Sequence, residues 1–217
     1  MNITVYLASS QGNRPLYRQA AAELGSWIGA QGHQLIYGGS SVGLMGVLAD
    51  AVLSSGGTVI GVEPRFFVES ALQHEGIQQL IVVETMAERK AKMMELGDVF
   101  VAFPGGSGTL EEISEIISHN SIGLISKPCI LYNLDHFYDG LKLLLDHMVQ
   151  EGFLPAANRE KVRFARNITE IVELSEDQWK MNGRSMENQW QNEWKEHGAD
   201  NHKQGMADGE KLLRRLL

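Results

Sequence analysis

"DVFVAFPGGSGTLEE" spans residues 98–112, and its reading decides the fold. Val99-Phe100-Val101-Ala102 is a short apolar run of the kind that forms a buried strand. Glycines follow at 105, 106 and 108, and 109–123 then shows helical spacing up to Gly123. A strand that passes through a glycine turn directly into a helix opens a βαβ unit, in which the next strand returns parallel to the first.

The same grammar recurs along the chain. "ITVYLAS" (3–9), "HQLIYGG" (33–39), "TVIGVEP" (58–64), "QLIVVE" (79–84), "KPCILYN" (127–133) and "VRFAR" (162–166) read as further strands. Between and after them, 15–32, 43–57, 86–97, about 135–151 and 168–180 read as helices, while 65–78 stays ambiguous. Seven strands alternating with helices predict an α/β, Rossmann-like, doubly wound parallel sheet in three layers. Such sheets bind ligands beyond the carboxyl ends of their strands. Three strands here run into small or glycine-rich segments, "ASSQG" (8–12), "GGSSVG" (38–43) and "PGGSG" (104–108), which should converge on one edge.

Composition narrows the class. The 217 residues carry a formal charge of −8 and no long basic run, which argues against a nucleic-acid surface. The lone Cys129 excludes an intramolecular disulfide framework and a cysteine-rich metal site, and mid-strand it reads as core filler. No apolar run reaches the roughly 18 residues of a membrane span, and "MNITVYLASS" lacks the basic and apolar regions of a signal peptide, so a cytoplasmic protein is expected. Residues 1–178 read as the globular domain. Residues 179–217 read as a polar, partly helical extension in which Trp190 and Trp194, four apart, would share a helix face.

On residues alone, "PGGSGTLEE" has two open readings. A strand, a glycine turn and a helix start together make an anion site, because first-turn N–H groups lack partners and the helix dipole favours negative charge. Equally, Thr109 and Glu112 have capping-box spacing, which would make Glu112 a cap and the glycines mere turn formers. The segment is neither the G-x-G-x-x-G dinucleotide fingerprint nor a Walker loop.

"PGGSGTLEE" matches the PGGxGTxxE motif of the LONELY GUY (LOG) family, and "MAERKAKM" (86–93) resembles that family's Arg-Lys segment. "YGGSSVGLMGVLADAVLSSGGTVIGVEP" (37–64), "KPCILYN" and "EGFLP" (151–155) are similar in order and spacing, so the resemblance covers roughly residues 3–175. It implies a homodimer without metal or redox cofactor. The implied activity is hydrolysis of the N-glycosidic bond of a nucleoside 5′-monophosphate, of AMP or cytokinin riboside type, to free base and ribose 5-phosphate. Such sequences often carry the label lysine decarboxylase, for which no pyridoxal-phosphate motif is visible here. By resemblance, Arg89 and Glu112 are the catalytic pair. Gly105, Gly106, Ser107, Gly108, Thr109, Glu111, Lys90, Gly43, Gly46 and Ser9 hold the phosphate and ribose.

The chain departs from the family pattern at Ser107, where an aromatic residue is usual, at Ala87, near Ala71, and over 118–123, which includes His119. These changes keep an alternative open, a nucleotide-binding or sensing module with little turnover. A third reading is an interaction protein acting through its Trp-bearing tail.

Overall fold

The computed structural model describes residues 1–176; the predicted 179–217 extension lies outside them. In chain order the elements are β1 (Asn2–Tyr6), α1 (Pro15–Ala30), β2 (Gln34–Tyr37), α2 (Gly43–Ser54), β3 (Thr58–Pro64), α3 (Arg65–Val68), β4 (Gln79–Val83), α4 (Met86–Leu96), β5 (Val99–Ala102), α5 (Ser107–Ser121), β6 (Cys129–Tyr132), α6 (Asp139–Gln150), α7 (Ala156–Arg159) and β7 (Val162–Ala165), with 168–176 helical again. The seven strands form one sheet in the order β4-β3-β2-β1-β5-β6-β7, and every pairing is parallel.

Strand alternation divides the core in two. Ile3, Val5, Leu35, Tyr37 and Val101 face α1 and α2, where Leu24, Ile28, Leu48 and Val52 complete one fully buried cluster. Tyr6, Ile36, Val62, Phe100 and Leu131 face the other way and pack with Met93, Ile113, Ile116 and Leu145 of α4, α5 and α6. Met93, Ile113 and Ile116 thus belong to the core. Cys129 is buried, and burial pushes its thiol up to about 12, as befits filler.

Strand order reverses at β1, whose neighbours are β2 and β5, and this switch point positions the site. Thr4 pairs with both Ile36 and Phe100, so the segments after Tyr6, Tyr37 and Ala102 leave the same edge side by side. Gly43 shows how tightly two of them pack. Its φ is +64°, and a Cβ there would fall 2.0 Å from the Ser9 carbonyl oxygen.

The connection after β6 differs from expectation. A helix from about 135 is predicted, but Asp135 and His136 have φ of 47° and 66°, and α6 starts only at Asp139. Asn133 is the reason. Its Oδ1 accepts the Tyr138 N–H at 2.6 Å and its Nδ2 donates to Asp139 Oδ1 at 2.7 Å, which folds the chain back before the helix begins. The ambiguous 65–78 segment forms short α3 and then a loop stitched to the β2 edge, with Ser41 N–H donating to Leu72 O and His74 N–H to Gly39 O, both at 2.8 Å.

Candidate active site

Beyond the carboxyl ends of β1 and β5 lies a cleft of about 370 Å³. One wall is the start of α5. That helix begins at Ser107, two residues before the predicted start, with Gly106 at its N-cap, and no side chain caps it. The capping-box reading is therefore corrected: Thr109 sits at the third helical position and Glu112 a turn further in. The N–H groups of Ser107, Gly108 and Thr109 are the ones that helical geometry leaves without partners. The T-x-x-E cap exists instead at α4, where Thr85 Oγ1 accepts the Glu88 N–H at 3.1 Å. Gly106 and Gly108 have open space where a Cβ would stand, and neither has positive φ, so packing does not require them to be glycine.

Two charges stand beside this helix start. Arg89, on the first turns of α4, is 9% exposed, and Glu112 on α5 is 8% exposed. Arg89 Nη1 donates to Glu112 Oε1 at 2.6 Å, and Arg89 Nε donates to the Val62 carbonyl at 3.0 Å. Burial pushes the Glu112 carboxyl above the usual glutamate range, while the charge and hydrogen bond of Arg89 act in the other direction. The result is a buried carboxyl, fixed by a guanidinium, beside an uncapped helix start. This combination can hold an anion at one end and stabilise positive charge at the other.

Of the residues singled out from sequence, Arg89, Glu112, Gly106, Ser107, Gly108, Thr109, Glu111 and Ser9 all line this cleft. Gly105 lines instead an adjoining cavity of about 250 Å³, and a Cβ on it would strike the Thr109 side chain. Gly43 packs on Ser9, as described, and Gly46 on the Ser41 carbonyl. Lys90 is held on the outside between α4 and α5 by Glu111 at 2.6 Å and Glu115 at 3.2 Å. His119 lies ten residues after Thr109 on α5, about 15 Å along its axis. His74 Nε2 is 2.9 Å from Asp50 Oδ1.

Sequence reasoning missed Met45, Phe67 and Met86, which give the cleft an apolar side. Met86 was recoverable, since it stands three residues before Arg89 and so shares its helix face. Phe67 was not, because it comes from the ambiguous segment.

A family model described as "Possible lysine decarboxylase" matches residues 45–174. The chain is 43% identical over 170 residues to the cytokinin riboside 5′-monophosphate phosphoribohydrolase of Rhodococcoides fascians, covering 77% of this chain and 85% of that protein. It is 39% identical over 175 residues to an Arabidopsis thaliana enzyme of the same name, covering 81% and 82%.

The chain belongs to the LOG family.

Among solved structures, the LOG-family chain is similar to the molybdenum cofactor binding protein of Rippkaea orientalis, with TM-score 0.63 and 23% identity over 81% of this chain and 95% of that one. It is also similar to the Moco carrier protein of Chlamydomonas reinhardtii, with TM-score 0.62 and 20% identity over 83% and 98%. At these identities the likeness concerns the fold. The LOG motif PGGxGTxxE corresponds here to the turn and first helical turns that form the cleft wall, with Glu112 as its final residue.

Proposed function

We propose that the protein is a nucleoside 5′-monophosphate phosphoribohydrolase, acting on AMP or a cytokinin-type riboside monophosphate. One observation carries the reading: the uncapped start of α5 and the buried Arg89–Glu112 pair open into the same cleft. The names of the relatives support it.

The 5′-phosphate lies against the N–H groups at 107–109, with Thr109 Oγ1 and Arg89 adding donors. Glu112 faces C1′. As the C1′–N bond breaks, its electron pair leaves with the base and the ribose becomes oxocarbenium-like. The Glu112 carboxylate stabilises that cation and takes a proton from the attacking water, whose oxygen bonds to C1′; the departing base takes up a proton at nitrogen. Ribose 5-phosphate and free base result. Met45, Phe67 and Met86 offer the base its apolar surface.

The remaining parts of the reading are a cytoplasmic homodimer assembled through the 86–123 region, and a domain boundary near 178. Exposed Leu110 and Ile122 (43% and 67%) support the interface. Among the described residues no helix is long and apolar enough to cross a membrane. Incubation with AMP and other nucleoside monophosphates, followed by chromatography of free base, tests the activity. Retention of AMP without base release would favour the binding module.

A further inference from the structure

The reaction above leaves one deeply buried carboxyl unused. Glu63, near the end of β3, is 2% exposed, and its Oε2 has no hydrogen-bond partner. It follows Val62, the residue whose carbonyl accepts the Arg89 Nε–H. Strand alternation sends the Val62 side chain towards α4 and that of Glu63 to the other face.

Arg89 and Glu63 approach the turn that follows β2 from its two sides. A Cβ on Gly38 would fall 2.2 Å from Arg89 Nη2. A Cβ on Gly39 would fall 3.0 Å from the Glu63 Cβ and 3.4 Å from its Oε2. Two successive glycines thus carry the guanidinium against one and the carboxyl against the next. Two further side-chain atoms near this turn are buried without a hydrogen-bond partner: Tyr37 Oη at the end of β2, and Oε1 of Gln73, whose residue bridges Ser40. Arg89 from α4 is the charged group that acts on Glu63, and Glu63 in turn acts with Asp50 of α2 on the Tyr37 hydroxyl of β2.

Arg89 carries one positive charge, and Glu112 already accepts its hydrogen bond. An ionised Glu63 would be a second buried carboxylate in the field of the same guanidinium, with no donor at its Oε2. Burial of that kind favours the neutral acid, and it pushes Glu63 above the usual glutamate range while Arg89 opposes.

We propose that Glu63 is a positioning residue of the site, controlling through the Gly38–Gly39 turn how far Arg89 is free to serve Glu112 and an incoming phosphate ester. As a neutral acid it leaves the guanidinium to them. As a carboxylate it draws on the same guanidinium and sets a second negative charge against an anionic substrate. The inference rests on the nucleotide-hydrolase reading.

The test is adenine release from AMP over pH 5–9 with Glu63→Gln as the reference, because the phosphate ester's own second ionisation, with a pKa of about 6, acts on both proteins alike. The ratio of parent to variant KM should rise on the order of tenfold from the acid to the alkaline end as Glu63 ionises, with kcat moving less. A ratio that stays flat overturns the proposal. Infrared difference spectra over the same pH series supply a readout without turnover. A protonated-carboxyl band in the parent that disappears at a pH above about 4.3, the ordinary glutamate value, and is missing from Glu63→Gln is expected, and its absence from the parent overturns the proposal. If Glu63→Gln does not fold, Glu63→Leu takes its place in both measurements. If no protein releases base, the hydrolase reading fails instead, and the same pH series is then read from AMP binding by calorimetry, with the same two outcomes.

Discussion

Arg89 Nη1 and Glu112 Oε1 stand 2.6 Å apart with both residues less than a tenth exposed, so each is the other's main compensation for burial. The pair joins α4 to α5 directly over the ends of β1 and β5. A cap could be exchanged at small cost, whereas a buried ion pair cannot be halved cheaply.

Glu112→Gln keeps a hydrogen-bond acceptor for Arg89 but removes the charge. Base release should fall about a hundredfold or more, while AMP affinity stays within a few-fold. Glu112→Ala leaves Arg89 charged and unpaired, and should also cost about 3–5 kcal/mol of stability. Turnover assays and urea titrations separate the two effects.

The proposed reaction needs Glu112 ionised, and burial holds its carboxyl above the usual range. Activity should therefore fall on acidification at a pH above about 4.3, the ordinary glutamate value. For stability the sign is opposite. A group whose folded pKa is raised contributes most below its unfolded value, and that contribution is lost as pH rises through the folded one. A kcat profile with a low acid limb near 4 would contradict the assignment.

Arg89→Lys keeps the charge but loses the planar fork that reaches Val62 O and Glu112 together. KM for AMP should rise and kcat fall, each by roughly tenfold or more. Equal kinetics in the two proteins would show that the fork does not matter.

Gly43→Ala and Gly108→Ala should behave in opposite ways. The first places a Cβ 2.0 Å from a carbonyl oxygen at φ +64°, and should destabilise by at least about 2 kcal/mol. The second meets nothing within 4 Å. On a helical position it should leave stability unchanged or improve it by up to about 1 kcal/mol, yet weaken AMP binding by narrowing the anion site. Denaturation midpoints and calorimetry check both.

Residues 1–178 expressed alone should fold cooperatively and run as a dimer in light scattering. A molten truncated chain would move the domain boundary, and a monomer at micromolar concentration would remove the proposed assembly.

The alternation of apolar β-branched runs with helical segments is a local property, so the parallel sheet and the edge that bears the site were legible in the sequence. The cap was not. Thr-x-x-Glu spacing occurs at Thr85–Glu88 and again at Thr109–Glu112, and only the three-dimensional start of each helix shows which one closes. Phe67, and the packing of Gly43 on Ser9, were obscured for a different reason. Each acts on a neighbour brought in by the fold, one on the cleft and the other on the Ser9 backbone. Glu63 did leave a trace, as a lone acid within the otherwise apolar "TVIGVEP".

The switch point also has a consequence for biogenesis. β1 pairs with β2 soon after both are made, but its other neighbour is β5, so Thr4 waits for Phe100. Pairings this distant in sequence raise contact order and slow folding. During synthesis the β4-β3-β2-β1 half is available first, with Ser9, Met45 and Phe67 in place and one edge of β1 unsatisfied. Arg89 and the 106–112 turn arrive with the second half. A nascent chain therefore has no complete cleft before β5 is inserted, and binding of AMP under the proposed function would serve as a reporter of the last step in building the sheet's centre.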